Sequence, residues 1–249
     1  MPTAGLYRKP SRQAPLESEA VRGDPVTVFE FGDGGWNWVQ LGHDGYVGWM
    51  AADALEAGAP SPTHRVCVPR TLLFSAADIK SPLMQVLPLG ASVTVRSEAS
   101  DHNARYGLIE PGGAIVMQHL QPVGTPVGDF VTVAEGLIGT PYLWGGFTAS
   151  GIDCSGLVQI AMRMAGHDAP RDSDMQEAAL GAGLAIAPGL PPLVRGDLIF
   201  WKGHVGIMQD GETLLHANVH HMAVASEPLA EAVSRLNAAG LPVTSVRRP

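Results

Sequence analysis

Residues 150–166 read "SGIDCSGLVQIAMRMAG" and hold one of the chain's two cysteines. From Cys154 onward apolar residues recur at helical spacing, which predicts a helix. Asp153 is a good N-cap, so Cys154 falls in the first turn. There the unpaired backbone N–H groups and the positive end of the helix dipole favour an anion. A thiolate is such an anion, and its pKa is expected to fall in that setting. Gly156 allows another segment to come close to the helix. A nucleophile of this kind still needs a base, and the base needs a group to orient it.

Both are found downstream in "KGHVGIMQDGETLLHAN". His204 starts one strand-like run, His216 ends the next, and "DGET" between them reads as a hairpin turn. In an antiparallel hairpin the two histidines can lie side by side and share one face. His204 could then take the thiol proton while His216 holds the other ring nitrogen of His204 and fixes its tautomer. The other cysteine, Cys67 in "HRVCVPR", reads as a small buried hydrophobe in a strand, and two cysteines make no disulfide framework.

Around this stretch the chain reads as three parts. "DPVTVFEF", "WNWVQLG" and "YVGWM" alternate apolar and polar residues between glycine turns, which suggests a small barrel. The first twenty residues read as a polar leader, giving a first part of 1–60, with "EAGAPSPT" (56–63) as linker. A second all-β part, 61–124, has strand-like pieces broken by Pro, Gly and Asp/Asn. From 125 to 249 the texture changes. Helices are expected over 129–139, from Asp153, over 172–183 and over 227–236, with strands at "GDLIFW", "HVGIMQD", "ETLLHAN" and "LPVTSVRRP", an α+β pattern.

The chain has 249 residues, 45% hydrophobic and 16% charged, so a packed core is expected and global disorder is not. A formal net charge of -8 argues against nucleic acid or an anionic membrane as partner. No run approaches the length of a membrane span, and the N-terminus lacks an apolar signal core and a small-residue cleavage site. The expectation is therefore a cytoplasmic protein. "HANVHH" brings His216, His220 and His221 close in sequence, but no Cys or acidic partner has zinc-site spacing with them, so neither metal nor cofactor is expected.

The run "TPYLWGG…GIDCSGL…PRDSDMQ…GDLIFW…HVGI…LLHA" resembles the NlpC-type, papain-like cysteine peptidases that cleave bacterial cell-wall peptides. The resemblance implies Cys154 as nucleophile, His204 as base and His216 as the third polar residue. It also implies Tyr142 near the nucleophile, with the Cys154 amide helping to stabilise the oxyanion. The upstream part is similar to the paired bacterial SH3-like domains of γ-D-glutamyl-L-diamino acid endopeptidases. The implied fold is an α+β papain-like catalytic domain preceded by two small all-β SH3-like barrels.

In that group the first barrel closes the cleft, so that only peptides with a free N-terminal L-alanine fit. The implied substrate is L-Ala-γ-D-Glu-diaminopimelate or a relative, hydrolysed after D-Glu during cell-wall peptide recycling. By position, Tyr46 should reach the cleft from the first barrel, with one acid among Glu17, Glu19 and Asp24. Asp172 and Ser173 should line it, Asp172 facing the substrate ammonium, while Trp144, Asp153 and Ser155 shape the pocket. The competing readings are a general wall hydrolase or amidase on the same scaffold, and a non-catalytic wall-binding protein.

Overall fold

Strand alternation organises the N-terminal half from its first residues. The computed structural model describes residues 1–58, 61–186 and 189–249. The chain divides into two units, Met1–Thr125 and Pro126–Pro249. The expected polar leader is instead a folded hairpin of β1 (Thr3–Tyr7) and β2 (Leu16–Val21). With β3 (Val26–Phe31), β4 (Trp36–Leu41) and β5 (Val47–Ala51) they form a sheet ordered β2-β1-β5-β4-β3. The segment looks polar because only one face is buried. Leu6 and Ala20 join Val39, Leu41 and Met50 in the core, while alternate residues meet water.

A second lobe follows in the same unit. Its strands are β6 (His64–Val66), β7 (Arg70–Phe74), β8 (Leu83–Pro88), β9 (Ser92–Val93), β10 (Val95–Ser100), β11 (Arg105–Ile109), β12 (Ala114–Val116) and β13 (Leu120–Pro122). They make a five-stranded sheet, β10-β11-β12-β7-β8, and a three-stranded one, β13-β6-β9. The middle of the expected linker, residues 59–60, lies outside the described residues. Cys67 sits half-buried just past β6 as a free thiol, and burial pushes its pKa up.

The second unit opens with α1 (Phe130–Glu135), capped by Asp129, whose carboxylate accepts from the Val131 N–H at 2.9 Å. It is shorter than expected, because the chain leaves the helix at Gly136. Two short strands, β14 (Phe147–Thr148) and β15 (Gly151–Ile152), lead into α2 (Cys154–Met164). Every residue of α2 except Arg163 is buried, as befits a helix with neighbours all round. The next helix, α3 (Ser173–Ala179), stops short of the expected 172–183, and Ala182–Leu184 becomes the edge strand β16.

The main sheet also contains β17 (Leu198–Trp201), β18 (His204–Met208), β19 (Thr213–Asn218), β20 (Ala223–Pro228) and, after α4 (Leu229–Ala238), β21 (Val243–Arg248). Its order is β16-β21-β17-β18-β19-β20, antiparallel throughout, and α2 packs on β18 and β19. Strand β20 was not anticipated. The helix expected from Glu227 begins only after Pro228, which leaves Glu227 on the sheet. Among the described residues, no helix is long and apolar enough to cross a membrane.

Candidate active site

Cys154 is the first residue of α2, and Asp153 is its N-cap, accepting from the Gly156 N–H at 2.7 Å. The same carboxylate accepts from the Gly145 N–H at 2.9 Å and from both terminal nitrogens of Arg171, at 2.9 and 2.7 Å. The Arg171 side chain is only 1% exposed. It also donates to Ser155 Oγ at 2.9 Å, while Gln176 Nε2 donates to the Ser155 carbonyl at 2.9 Å. Asp153 and Ser155, expected to shape the substrate pocket, thus spend their side chains on holding the nucleophile's turn. A Cβ on Gly156 would stand 2.4 Å from the Gly146 carbonyl oxygen, so glycine is what lets that loop lie against the helix start.

The thiol itself departs from the expected lowered pKa. Burial pushes it up to about 12, and the neighbouring Asp153 charge adds to this. The backbone N–H groups of Val205 and Ser155 pull the other way without prevailing. Helix-start stabilisation is outweighed because the sulfur has left water. The Val205 contact ties the sulfur to the start of β18, the strand that His204 opens.

His204 Nε2 lies 2.8 Å from His216 Nδ1, and His216 Nε2 lies 2.7 Å from Glu227 Oε1. The histidines are diagonal across the β18–β19 pair rather than directly opposite. Gly206 makes room for this, since a Cβ there would meet Leu214 at 2.6 Å and the His216 Cβ at 3.2 Å. Burial, then the neighbouring cationic groups, lowers His204 to about 3, and burial lowers His216 to about 4. Both rings are neutral at pH 7. Glu227 is buried, which alone would raise its carboxyl, yet hydrogen bonds from Arg235 and His216 hold it at about 2. The Arg235 guanidinium reaches it at 2.5 and 2.8 Å from α4.

Tyr142 is half-buried. Burial, with the nearby Cys154 and Asp153 charges, raises its phenol to about 12, so the hydroxyl keeps its proton. Its backbone N–H donates to the Met222 carbonyl at 2.9 Å. Trp144 is 64% exposed. Asp172 and Ser173, both half-buried, stand at the N-terminus of α3, where Asp172 adds negative charge beside Arg171. Tyr46 belongs to the other unit and packs against the core of its first lobe. There Glu17 pairs with Arg8 at 2.6 Å, and Asp24 accepts from the Val21 N–H at 2.9 Å.

The fold also supplies the acidic neighbour that "HANVHH" lacked. His216, His221 and Glu227 place their ligand atoms within 4.8 Å of one another. Their bonding suits a relay better than a cation. Both His216 nitrogens are engaged, and the Glu227 carboxylate is already met by a guanidinium.

The model of the NlpC/P60 family matches residues 139–238. The probable endopeptidase NlpC of Escherichia coli (strain K12) is 35% identical over 112 residues, 39% of this chain and 70% of that protein. The chain belongs to the NlpC/P60 family. Ahead of its NlpC/P60 part, residues 6–55 match the bacterial dipeptidyl-peptidase Sh3 domain, so the first lobe is SH3-like. The gamma-D-glutamyl-L-lysine dipeptidyl-peptidase of Bacillus subtilis (strain 168) is 31% identical over 188 residues, covering 70% of this chain and 60% of that relative. The chain thus spans about 60% of the length of that curated relative. The crystal structure of an NlpC/P60 family protein from Bacillus cereus ATCC 10987 superposes with a TM-score of 0.79 at 21% identity, covering 99% of this chain and 97% of that one. It supports the papain-like fold of the NlpC/P60 part.

The titration pattern of this NlpC/P60 site gives a pH prediction. Hydrolysis should stay near its neutral-pH kcat down through the ordinary imidazole value of 6.5, with its acid limb nearer 4. An acid limb near 6.5 in a kcat–pH profile would instead show a base histidine that titrates at its ordinary value, and would overturn the buried, neutral pair. Stability should move in a matching direction. Below 6.5 the unfolded histidines take up protons that the folded ones refuse until about 3 to 4, so stability falls as pH falls through that window. Melting temperatures of the wild type and of His216→Leu, which should flatten the decline, check the sign.

Proposed function

We propose that this chain is a cysteine endopeptidase that hydrolyses the γ-D-Glu–L-diamino acid bond of peptidoglycan-derived peptides carrying a free N-terminal L-alanine. The observation that carries this reading is the His204–His216 pair at 2.8 Å, beside a cysteine on a helix N-terminus. The family membership and the naming of relatives as gamma-D-glutamyl-L-lysine dipeptidyl-peptidases support the substrate class.

In this reading the resting pair is neutral, and proton transfer accompanies attack. Sγ of Cys154 bonds to the D-Glu side-chain carbonyl carbon while His204 Nδ1 takes the thiol proton. Amide N–H groups at the start of α2, that of Cys154 included, bear on the developing oxyanion. The intermediate collapses to a thioester, and the diamino acid amine leaves with the proton from His204. Water, deprotonated by the same imidazole, then releases L-Ala-D-Glu and restores the thiol. Both N-terminal lobes are read as SH3-like. Asp172 and Ser173 of the peptidase unit are read as lining the alanine end of the substrate, Asp172 pairing its ammonium group.

Acetylating the L-alanine removes the charge that Asp172 would pair. Truncating one partner of a hydrogen-bonded charge pair costs on the order of 2–5 kcal/mol, so kcat/KM is expected to fall about 30-fold or more. The assay compares L-Ala-γ-D-Glu-diaminopimelate, its L-lysine counterpart, the N-acetyl form and whole sacculi, with the products identified by mass. Equal rates on free and blocked peptides would make the chain a general wall hydrolase. Acyl transfer to an added amine in place of hydrolysis would make it a transferase.

A further inference from the structure

His216, the second histidine, does not end the hydrogen-bonded chain. Leu214 of β19 pairs with Glu227 of β20, and His216 pairs with Ala225. Glu227 therefore stands diagonal to His216 on the same face, within reach of its ring. We propose that Glu227, clamped by Arg235, is a positioning residue that sets the tautomer of His216 and, through it, the tautomer of His204. This rests on the peptidase reading only where activity is the readout.

The logic follows from donor and acceptor counts. An ionised carboxylate only accepts, so His216 Nε2 must carry the proton in the 2.7 Å contact with Glu227. A neutral His216 then has a bare Nδ1, which can only accept. The 2.8 Å contact with His204 therefore places a proton on His204 Nε2. That leaves His204 Nδ1 bare, as a base requires. Arg235 fixes the first member of this series, because its two-pronged contact at 2.5 and 2.8 Å holds the carboxylate in one orientation. The charged and titratable groups facing the chain are Arg235 from α4 and His221, whose Nδ1 is 4.0 Å from Glu227 Oε1. The Trp201 ring lies beside the base, its centroid 5.6 Å from that of His204.

The test reads tautomers directly. Long-range proton–nitrogen NMR on ¹⁵N-histidine-labelled wild type is expected to show both His204 and His216 protonated on Nε2. Glu227→Leu removes the acceptor and should leave His216 no longer fixed as the Nε2–H form, with kcat lower on the order of 10²-fold and KM within about twofold. Glu227→Gln, which keeps an acceptor oxygen but not the charge, should hold the His216 tautomer and lie between the two in kcat. His204 protonated on Nδ1 in the wild type would overturn the proposal, as would unchanged tautomers and kcat in Glu227→Leu. If Glu227→Leu does not fold, the wild-type spectrum and Arg235→Met decide. The latter is expected to lower kcat and broaden the His216 Nε2–H signal as the carboxylate loses its clamp, and an unaltered spectrum and rate would overturn the role of Arg235. A wild type with these tautomers but no hydrolysis would sink the peptidase reading and leave the positioning role standing.

Discussion

Replacing Cys154 by alanine is expected to reduce hydrolysis of L-Ala-γ-D-Glu-diaminopimelate to background, a loss on the order of 10⁴–10⁶-fold. The fold should survive. Alanine is the best helix former, and the Asp153 cap acts through its own side chain and the Gly156 N–H. The loss should be near total because nothing else in the site replaces the sulfur. The other cysteine, Cys67, lies in the other unit. Cys154→Ser should be nearly as inactive. A serine hydroxyl is harder to deprotonate than a thiol, and this site gives its base no help from a preformed ion pair, since His204 is neutral with a pKa of about 3. His204→Ala should come close to the nucleophile's loss, because members of such a unit fail together, and His216→Ala should be milder. Purified variants are compared by turnover of the tripeptide and by melting temperature, with Cys67→Ala as the control that keeps activity. Retained turnover by folded Cys154→Ala would remove the nucleophile from the mechanism.

The residues that could be read from the chain alone are those whose role rests on local geometry. A cap, a first turn and a two-strand hairpin are short-range structures, so "GIDCSGL" and "KGHVGIMQDGETLLHAN" announce Cys154, His204 and His216 without knowledge of the rest. Glu227 and Arg171 depend on pairing that sequence spacing does not reveal. Glu227 heads "EPLAEAVSRL", where an acid before an apolar helical pattern looks like an ordinary first-turn residue. Only the β19–β20 register turns it toward His216. The alternation that marks β20, "AVASEP", is short and made of small residues, so its period-two signal is weak. Pro228 was the better clue to where strand ends and helix begins. Arg171 in "PRDSDMQ" reads as a loop cation, yet it is buried against a helix cap 18 residues earlier in the chain. Strands β1 and β2 were missed for a related reason, since Leu6 and Ala20 are what they give to the core cluster. The thiol pKa went the opposite way from the helix-dipole argument because burial is a property of the packed site and not of the motif.

Arg171 carries the largest expected effect on stability. Arg171→Met keeps the length and apolar stem of the side chain but leaves the Asp153 carboxylate among buried neighbours, with only two backbone N–H groups and the Ser155 hydroxyl to bond. Removing one partner of a buried ion pair costs about 3–5 kcal/mol, which for a unit of this size lowers the melting temperature by roughly 10–20 °C. Activity should fall as well, since the same guanidinium ties Asp153 to Ser155 and so holds both neighbours of the nucleophile in place. The double variant Arg171→Met with Asp153→Asn separates charge from shape. Asparagine still caps a helix but leaves no unpaired carboxylate. It should therefore recover more than half of the lost stability, a coupling that only residues in direct contact display. Urea unfolding of the wild type, both single variants and the double variant closes the cycle. A cost below about 1 kcal/mol for Arg171→Met would mean that the backbone donors alone satisfy Asp153. Arg171 would then act on the nucleophile's turn by packing, and Asp153→Asn by itself should be as harmless as the Arg171 change.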